Sequence, residues 1–424
     1  MNKSQKLKYN GLLLWGVISA IIIIMPYLLT VGNGWVPKFR CERLEECAEI
    51  YRKLGKFDFS HQSHTLGYVL YFPVIMSNLN ILSGYNMFSI AQSIAGGIVL
   101  IVYPVLMYRL FESLKIAVLS PVLIHFTIGD LLYINKSSEY WSGCWSLVIG
   151  VPLLLLFIKE RESKKRYIIV LALALIMGIA NILRGQSALP LLLTFITLLV
   201  VLLMEKKISL KKCIFMFLIC MCFYNLMGRT IPDIVAHQWG YEGKTAYNSS
   251  PWHSMLIGMG YIENNYGLYY SDDSAKEIIE RIDPNITYNS NEYYDACKEE
   301  ALRIIKENPA FFIKGIILKA KKCIQLQLDY VWGISPLTYY WHPYILIMII
   351  ILVNIIIIIK TKRVKTYVRK WGGVSLGAEA ALFSLYAGIM VYPSEYYIMG
   401  GFGGIGTFLL QVCFSMITFN IRAE

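Results

Sequence analysis

Runs of apolar residues about 20 positions long recur from one end of this chain to the other, and that is the length an α-helix needs to cross the hydrocarbon of a bilayer. Backbone amides and carbonyls find no water there, so a crossing segment must satisfy them internally. The runs are longer than barrel strands and lack their polar alternation, which leaves helices. With 56% of its 424 residues hydrophobic, the chain is expected to be an all-α polytopic membrane protein, and a soluble fold is excluded. No internal repeat stands out, and the Ile-rich stretch 345–359 is the one low-complexity tract.

A formal charge of +12 would suit a nucleic-acid partner. The Lys and Arg, however, fall in short clusters between apolar runs, where they act as a topology signal, and no nucleic-acid partner is expected. Lys3, Lys6 and Lys8 precede the run 12–31, which is longer than a signal-peptide core and lacks a small-residue cleavage site. It reads as an uncleaved first span with the N-terminus inside. Segment 67–82 then decides the topology, being apolar but short and broken by Pro73, Asn78 and Asn80. Counted as a span, it sends KERESKKR (159–166) and EKKISLKK (205–212) outside. Laid on the outer leaflet, it keeps both inside together with KTKRVKTYVRK (360–370), as the positive-inside rule demands. About ten spans follow, at 12–31, 87–108, 116–133, 140–158, 167–183, 188–204, 213–228, 340–359, 371–392 and 399–419, in a plasma membrane with both termini cytoplasmic.

This divides the chain into an N-terminal membrane module 1–228 with a first outer loop 32–86, a large outer loop 229–339, and C-terminal membrane helices 340–424. In the large loop, 292–307 is strongly helical. After it, Phe311, Phe312, Ile316 and Ile317 interleave with Lys314, Lys319, Lys321 and Lys322, the pattern of a basic amphipathic helix on a membrane surface, attractive to anionic lipid head groups. The nine cysteines include no C-x-x-C pair, and Cys220 and Cys222 lie within a span. Oxidation could join Cys41 to Cys47 or Cys297 to Cys323; free thiols are the preferred reading, ahead of disulfides and well ahead of a metal site.

The densest chemistry lies behind the first span. FRCERLEECAEIYRKLGKF places Glu42, Glu45, Glu46 and Glu49 on one helical face, among Arg40, Arg43, Arg52 and Lys53. Such a face is ordinarily a solvated helix laced with ion pairs. The functional alternative is a carboxylate held at the membrane surface as a general base toward an acceptor hydroxyl. Glu139, beside Lys136, Tyr140 and Trp141, reads as part of an interfacial anchor belt or as a second acid. Arg184 stands alone at the outer end of its span, a snorkelling cation or an anion ligand. On this topology three outer loops bring acid, acid and cation together, the set needed to handle a lipid-linked anion. Asp130 and Glu379 are intramembrane carboxylates, costly enough to keep a transporter or flippase in view. Asp272 and Asp273 could touch a divalent cation but lack a third ligand, so surface-turn chemistry is the favoured reading and no cofactor is assigned. His61, His64, His237, His253 and His342 fall outside and are expected to be solvated or to face substrate rather than a metal.

The order of these parts resembles the GT-C glycosyltransferases, polytopic enzymes that use polyprenyl-phosphate sugars and include the protein mannosyltransferases and the lipid A aminoarabinose transferases. CERLEECAEIYRKLGKF stands where that family has an acidic helix and HQSHTLGYVLYF where it has an HPPLY segment. YRLFESLK stands at its inner turn, NKSSEYW at its second outer acid, and ANILRGQSALPLLL at a span ending in Arg. The likeness spreads over residues 10–205 and rests on no single diagnostic motif. The family's Asp is replaced, Glu42 being nearest by spacing with Glu45 and Glu46 close behind. The HPP prolines are missing, and YPSEYYIM offers Glu395, Tyr396 and Tyr397 where many relatives carry an Arg before Tyr. The resemblance implies sugar transfer from a polyprenyl-phosphate donor to a glycan, lipid or protein acceptor outside the cytoplasm. It assigns the carboxylate chemistry to Glu42, Glu45 or Glu46 with Glu139, the donor phosphate to Arg184 and Lys136, and substrate contacts to His61, His64 and Tyr396. Trp35, Trp239 and Trp252 are candidates to stack on sugar rings. A surface-polysaccharide polymerase or ligase, leaning on loop Arg and His, is the alternative in the same pathway.

Overall fold

A computed structural model of the chain describes residues 3–29, 38–56, 67–129, 132, 141–160, 162–185, 187–240, 246–288, 290–332, 375–393 and 404–414. Among them every regular element is helical. The first ten are α1 Lys3–Leu29, α2 Lys38–Leu54, α3 Gly67–Asn78, α4 Gly84–Phe111, α5 Leu114–Gly129, α6 Trp141–Lys159, α7 Ser163–Leu183, α8 Leu189–Met204, α9 Leu210–Asn225 and α10 Ile231–Gln238. Then come α11 Ala246–Met259, α12 Asp272–Ile282, α13 Asn291–Glu307, α14 Pro309–Trp332, α15 Ser375–Phe383, α16 Tyr386–Met390 and α17 Gly404–Phe414.

Five helical stretches among the described residues are long and apolar enough to cross a bilayer: Gln5–Pro26 of α1, then α4, α6, α7 and the rod Leu210–Gln238. That rod joins α9 to α10 through a π turn at Leu226–Thr230, so it runs ten residues beyond the expected end at 228. The expected span 340–359 lies outside the described residues, and 371–392 is described from 375, as two short helices parted at Ser384 and Leu385.

α1 and α4 pack antiparallel. Tyr9 meets Tyr108 edge-on at 5.8 Å, a Cβ on Gly16 would strike the Ile101 backbone, and Gly97 faces Ile24. The chain that leaves α1 therefore re-enters at the same end of the bundle. α2 and α3 occupy that end, and α3, with 12 residues spanning about 18 Å, is too short to cross.

α6 runs down the centre, packed on α4, α7, α8 and α15. It is apolar all round and buried along almost its whole length, as such a helix must be. Trp145 Nε1 donates to the Ala95 carbonyl of α4 at 3.0 Å. Ser142 and Ser187 share a hydroxyl hydrogen bond of 2.8 Å at the α2 end, while at the far end Lys159 Nζ donates to the Arg109 carbonyl at 2.8 Å. The outward faces are greasy: Leu14, Ile18, Ile21 and Ile22 of α1, Leu119 and Phe126 of α5, Phe215 and Leu218 of α9 are all exposed. Water would not tolerate so much contiguous apolar surface; hydrocarbon does.

A second, smaller core joins α11, α12 and α13 through Leu256, Ile279, Tyr293, Cys297, Ala301 and Ile304, with Phe311 and Phe312 of α14 against it. Ser271 and Ser290 cap α12 and α13, each accepting a first-turn amide. The α14 helix is amphipathic as expected, with one exception. Lys319 is only 3% exposed and donates to the carbonyls of Gly258 (3.1 Å) and Met390 (3.3 Å), tying the last turns of α11 and α16 together.

Candidate functional site

The end of the bundle that holds α2 gathers the described residues with most chemistry. α2 buries Cys41, Leu44, Cys47 and Ala48 against α3 and α4. Three polar contacts fix its register. Ser77 Oγ donates to the Ala48 carbonyl (2.9 Å), Arg52 Nη2 to the Ile81 carbonyl (3.4 Å), and Gly84 N to Glu45 Oε1 (2.8 Å). Tyr51 also packs on Trp239 at the end of α10, with ring centroids 5.9 Å apart. Gly84 must be Gly, since a Cβ there would collide with the Cys41 backbone.

The four acids do not share one fate. Glu45 turns inward to the amino end of α4, where Ser83 makes no side-chain cap, and its carboxylate takes that role. Glu42 pairs with Lys38 at 3.3 Å and Glu49 with Lys53 at 2.7 Å, both exposed i,i+4 pairs of small energetic weight. Lys53 holds the Glu49 carboxyl below its ordinary range. Glu46 is exposed. Beside them, burial with the Glu45 and Glu42 charges pushes the Cys41 thiol up to about 11, so it is an inert thiol at neutral pH. No disulfide joins any of the nine cysteines.

Arg184 ends α7 at the same end of the bundle. It adopts extended backbone (φ −146°, ψ 122°), donates its amide to the Ala180 carbonyl at 3.1 Å, and is half-buried. Buried Asn181 orders the turn, accepting from Ala188 N (3.1 Å) and donating to the Tyr224 carbonyl of α9 (3.3 Å). α3, on which α2 lies, packs against α7. Through α3 the acid helix is thus linked to α7, the helix that Arg184 ends. Lys136, Glu139, His61, His64, Tyr396 and Asp130 lie outside the described residues. Glu379 is half-buried on α15, which packs on α6 and α8.

A separate constellation sits in the smaller core. His253 Nδ1 shares a hydrogen bond of 2.9 Å with the Tyr293 hydroxyl, and Nε2 lies 3.0 Å from Asp272 Oδ1. Tyr293 is buried and its phenol is pushed well above the ordinary tyrosine value by burial. Asp272 is thereby engaged in a protein contact, and Asp273 bonds the Ser271 cap. Among the described residues no three His, Cys, Asp or Glu side chains group to hold a metal. The sequence offered His253 and Asp272 as separate residues; nothing in their spacing of 19, or in the 40 to Tyr293, joins them. Compared with family models, with curated proteins and with solved structures, the chain matches none.

Proposed function

We propose that the chain is an integral-membrane glycosyltransferase of the GT-C kind, moving a sugar from a polyprenyl-phosphate donor to a glycan, lipid or protein acceptor outside the cytoplasm. The observation that carries this reading is the common end: the carboxylate helix α2 lies on α3, and α3 borders the helix whose terminus holds Arg184. An acceptor hydroxyl that attacks an anomeric carbon with inversion gives up a proton on one side of the sugar while the lipid phosphate departs on the other. A base and a phosphate ligand must therefore straddle one sugar. Glu42 and Glu46, projecting outward from α2, are the candidate bases, and Glu45 is their scaffold. Arg184 is the candidate phosphate ligand, with Lys136 as its second cation, Glu139 as a further candidate acid, and His61, His64 and Tyr396 on the sugar side. Orientation follows from charge. Arg109, Lys115, Lys159, Lys164, Lys165 and Lys206 gather at the far end, which the positive-inside rule assigns to the cytoplasm together with both termini, in a bundle of about ten spans.

The test is chemical. Lipid-linked saccharides are extracted from cells carrying Glu42→Gln, Glu46→Gln or Arg184→Gln at wild-type protein levels. A monosaccharide carrier lipid should accumulate in one of the two glutamate variants and in the arginine variant. Wild-type carrier levels in all three would end the proposal. The bonded His253 on the large loop supports a second reading, a polysaccharide polymerase or ligase. His253→Gln abolishing glycan while the glutamates tolerate change would select it, and a dominant effect at Glu379 would select a transporter.

A further inference from the structure

At the end of the bundle away from α2, the turns that open α7 and α9 line a pocket of about 440 Å³ that is open on one side, a volume typical of small-ligand sites. Arg166, Lys206, Lys207 and Lys212 line it with Ser163 and Ser209, and no carboxylate is among its described lining residues. Two helices begin at its rim. Neither Glu162 before α7 nor Ser209 before α9 caps its helix through its side chain, so the first-turn amides of both, which no helix satisfies internally, stand at the cavity edge. Two of the cations have fixed partners, Arg166 and Lys207. Arg166 Nε donates to the Glu160 carbonyl at 2.7 Å while its guanidinium lies over the Phe157 ring at 5.4 Å. Lys206 occupies the left-handed region at φ 55°, closing α8 where glycine is the usual residue, so a lysine stands at the rim against backbone preference. Lys207 shares its charge with Glu205 at 2.5 Å.

A topology signal needs cations near the membrane. It does not need them to converge on one carboxylate-free cavity between two helix starts. We infer that this cavity binds a phosphate-bearing anion, at a site remote from the α2 surface and independent of the transferase reading. Three cationic heads beside Lys207, two hydroxyls and two sets of helix amides match the oxygens of a phosphate. That phosphate can belong to an anionic phospholipid of the adjoining leaflet or to a soluble phosphate compound.

The full chain, purified in detergent, is examined by native mass spectrometry with added phosphatidylglycerol or phosphatidylcholine, with and without excess inorganic phosphate. Phosphatidylglycerol should be retained over phosphatidylcholine by about fivefold or more. The preference should vanish in Lys206→Gln/Lys212→Gln and persist in Lys206→Arg/Lys212→Arg. It should also persist in Lys115→Gln/Lys211→Gln, which removes equal charge from outside the cavity lining. Thermal unfolding of each variant checks its fold, and the single change Lys206→Gln is read instead if the glutamine pair fails to fold. Lipid preference undisturbed by inorganic phosphate assigns a head group. Displacement of the lipid by phosphate, with a thermal shift on phosphate addition, assigns a soluble ligand. Equal retention of the two lipids without a phosphate-dependent thermal shift overturns the inference, as does a preference that survives the glutamine pair.

Discussion

Glu45 shows how one hydrogen bond separates scaffold from chemistry. Its carboxylate accepts the Gly84 amide at a helix start that Ser83 leaves without a side-chain cap, an interaction worth about 1 kcal/mol by the usual value of an N-cap and its dipole. Glu45→Ala should lower the unfolding free energy of the detergent-solubilised chain by about that much, and Glu45→Gln by less, because an acceptor oxygen remains. Glu42→Ala should fall within about 0.5 kcal/mol of wild type, since only an exposed pair with Lys38 is lost. A larger loss at Glu42 than at Glu45 would reverse these roles. The i, i+3, i+4, i+7 rule correctly predicts a helix with an acidic face. It cannot tell position 45 from its neighbours, because the amide that claims it lies 39 residues further on. His253 teaches the same lesson: its two partners sit on other helices, so the contact exists only in the folded loop. His253→Ala removes one of two partners of the buried Tyr293 hydroxyl, Cys297 being the other, and should cost about 1 kcal/mol, read as faster proteolysis within 260–290.

Among the elements, α14 departs most from its sequence pattern. Alternating Lys and Ile predict an amphipathic helix with wet lysines, and Lys314 and Lys321 are exposed, but Lys319 is sealed against α11 and α16. Its carbonyl partners lie 61 and 71 residues away, beyond the reach of any local periodicity. α14 is not among the membrane-crossing helices, and burial lowers this lysine from its ordinary 10.5 to about 8. Between those values the unfolded chain keeps a proton that the folded chain has released. Folded-state stability therefore rises as pH climbs from about 8 toward 10.5 and is lost as pH falls through 8. The neutral amine still has two N–H groups for its two carbonyls, so the clasp survives deprotonation. Between about pH 7.5 and about pH 9.5, wild type should gain roughly 2 kcal/mol of unfolding free energy relative to Lys319→Met. Parallel pH profiles for the two proteins would show that Lys319 is charged, at no cost, throughout the range.

At the scale of the molecule, the antiparallel pairing of α1 with α4 carries the most weight, because it sends the first loop and α3 to one end and the basic turns to the other. Apolar run length and charge clustering made this legible in the sequence, since both are responses of single segments to the bilayer. What joins α2, through α3, to α7 is side-chain packing, which no single segment encodes. The two-ended arrangement can be tested in cells with a charged, membrane-impermeant maleimide. Seven of the native thiols are buried, Cys213 is half-buried, and exposed Cys222 lies on the apolar rod where a charged reagent does not reach. Cys41, the native thiol nearest the acids, is protonated at neutral pH because its pKa is raised to about 11. Glu46→Cys should therefore label in intact cells above the wild-type background, whereas Lys206→Cys should label only after the membrane is opened. If both positions label from outside, the acidic surface and the basic cavity face the same compartment. The cytoplasmic placement of the phosphate cavity would then fall, whereas Glu46→Cys failing to label in intact cells would end the sugar-transfer reading.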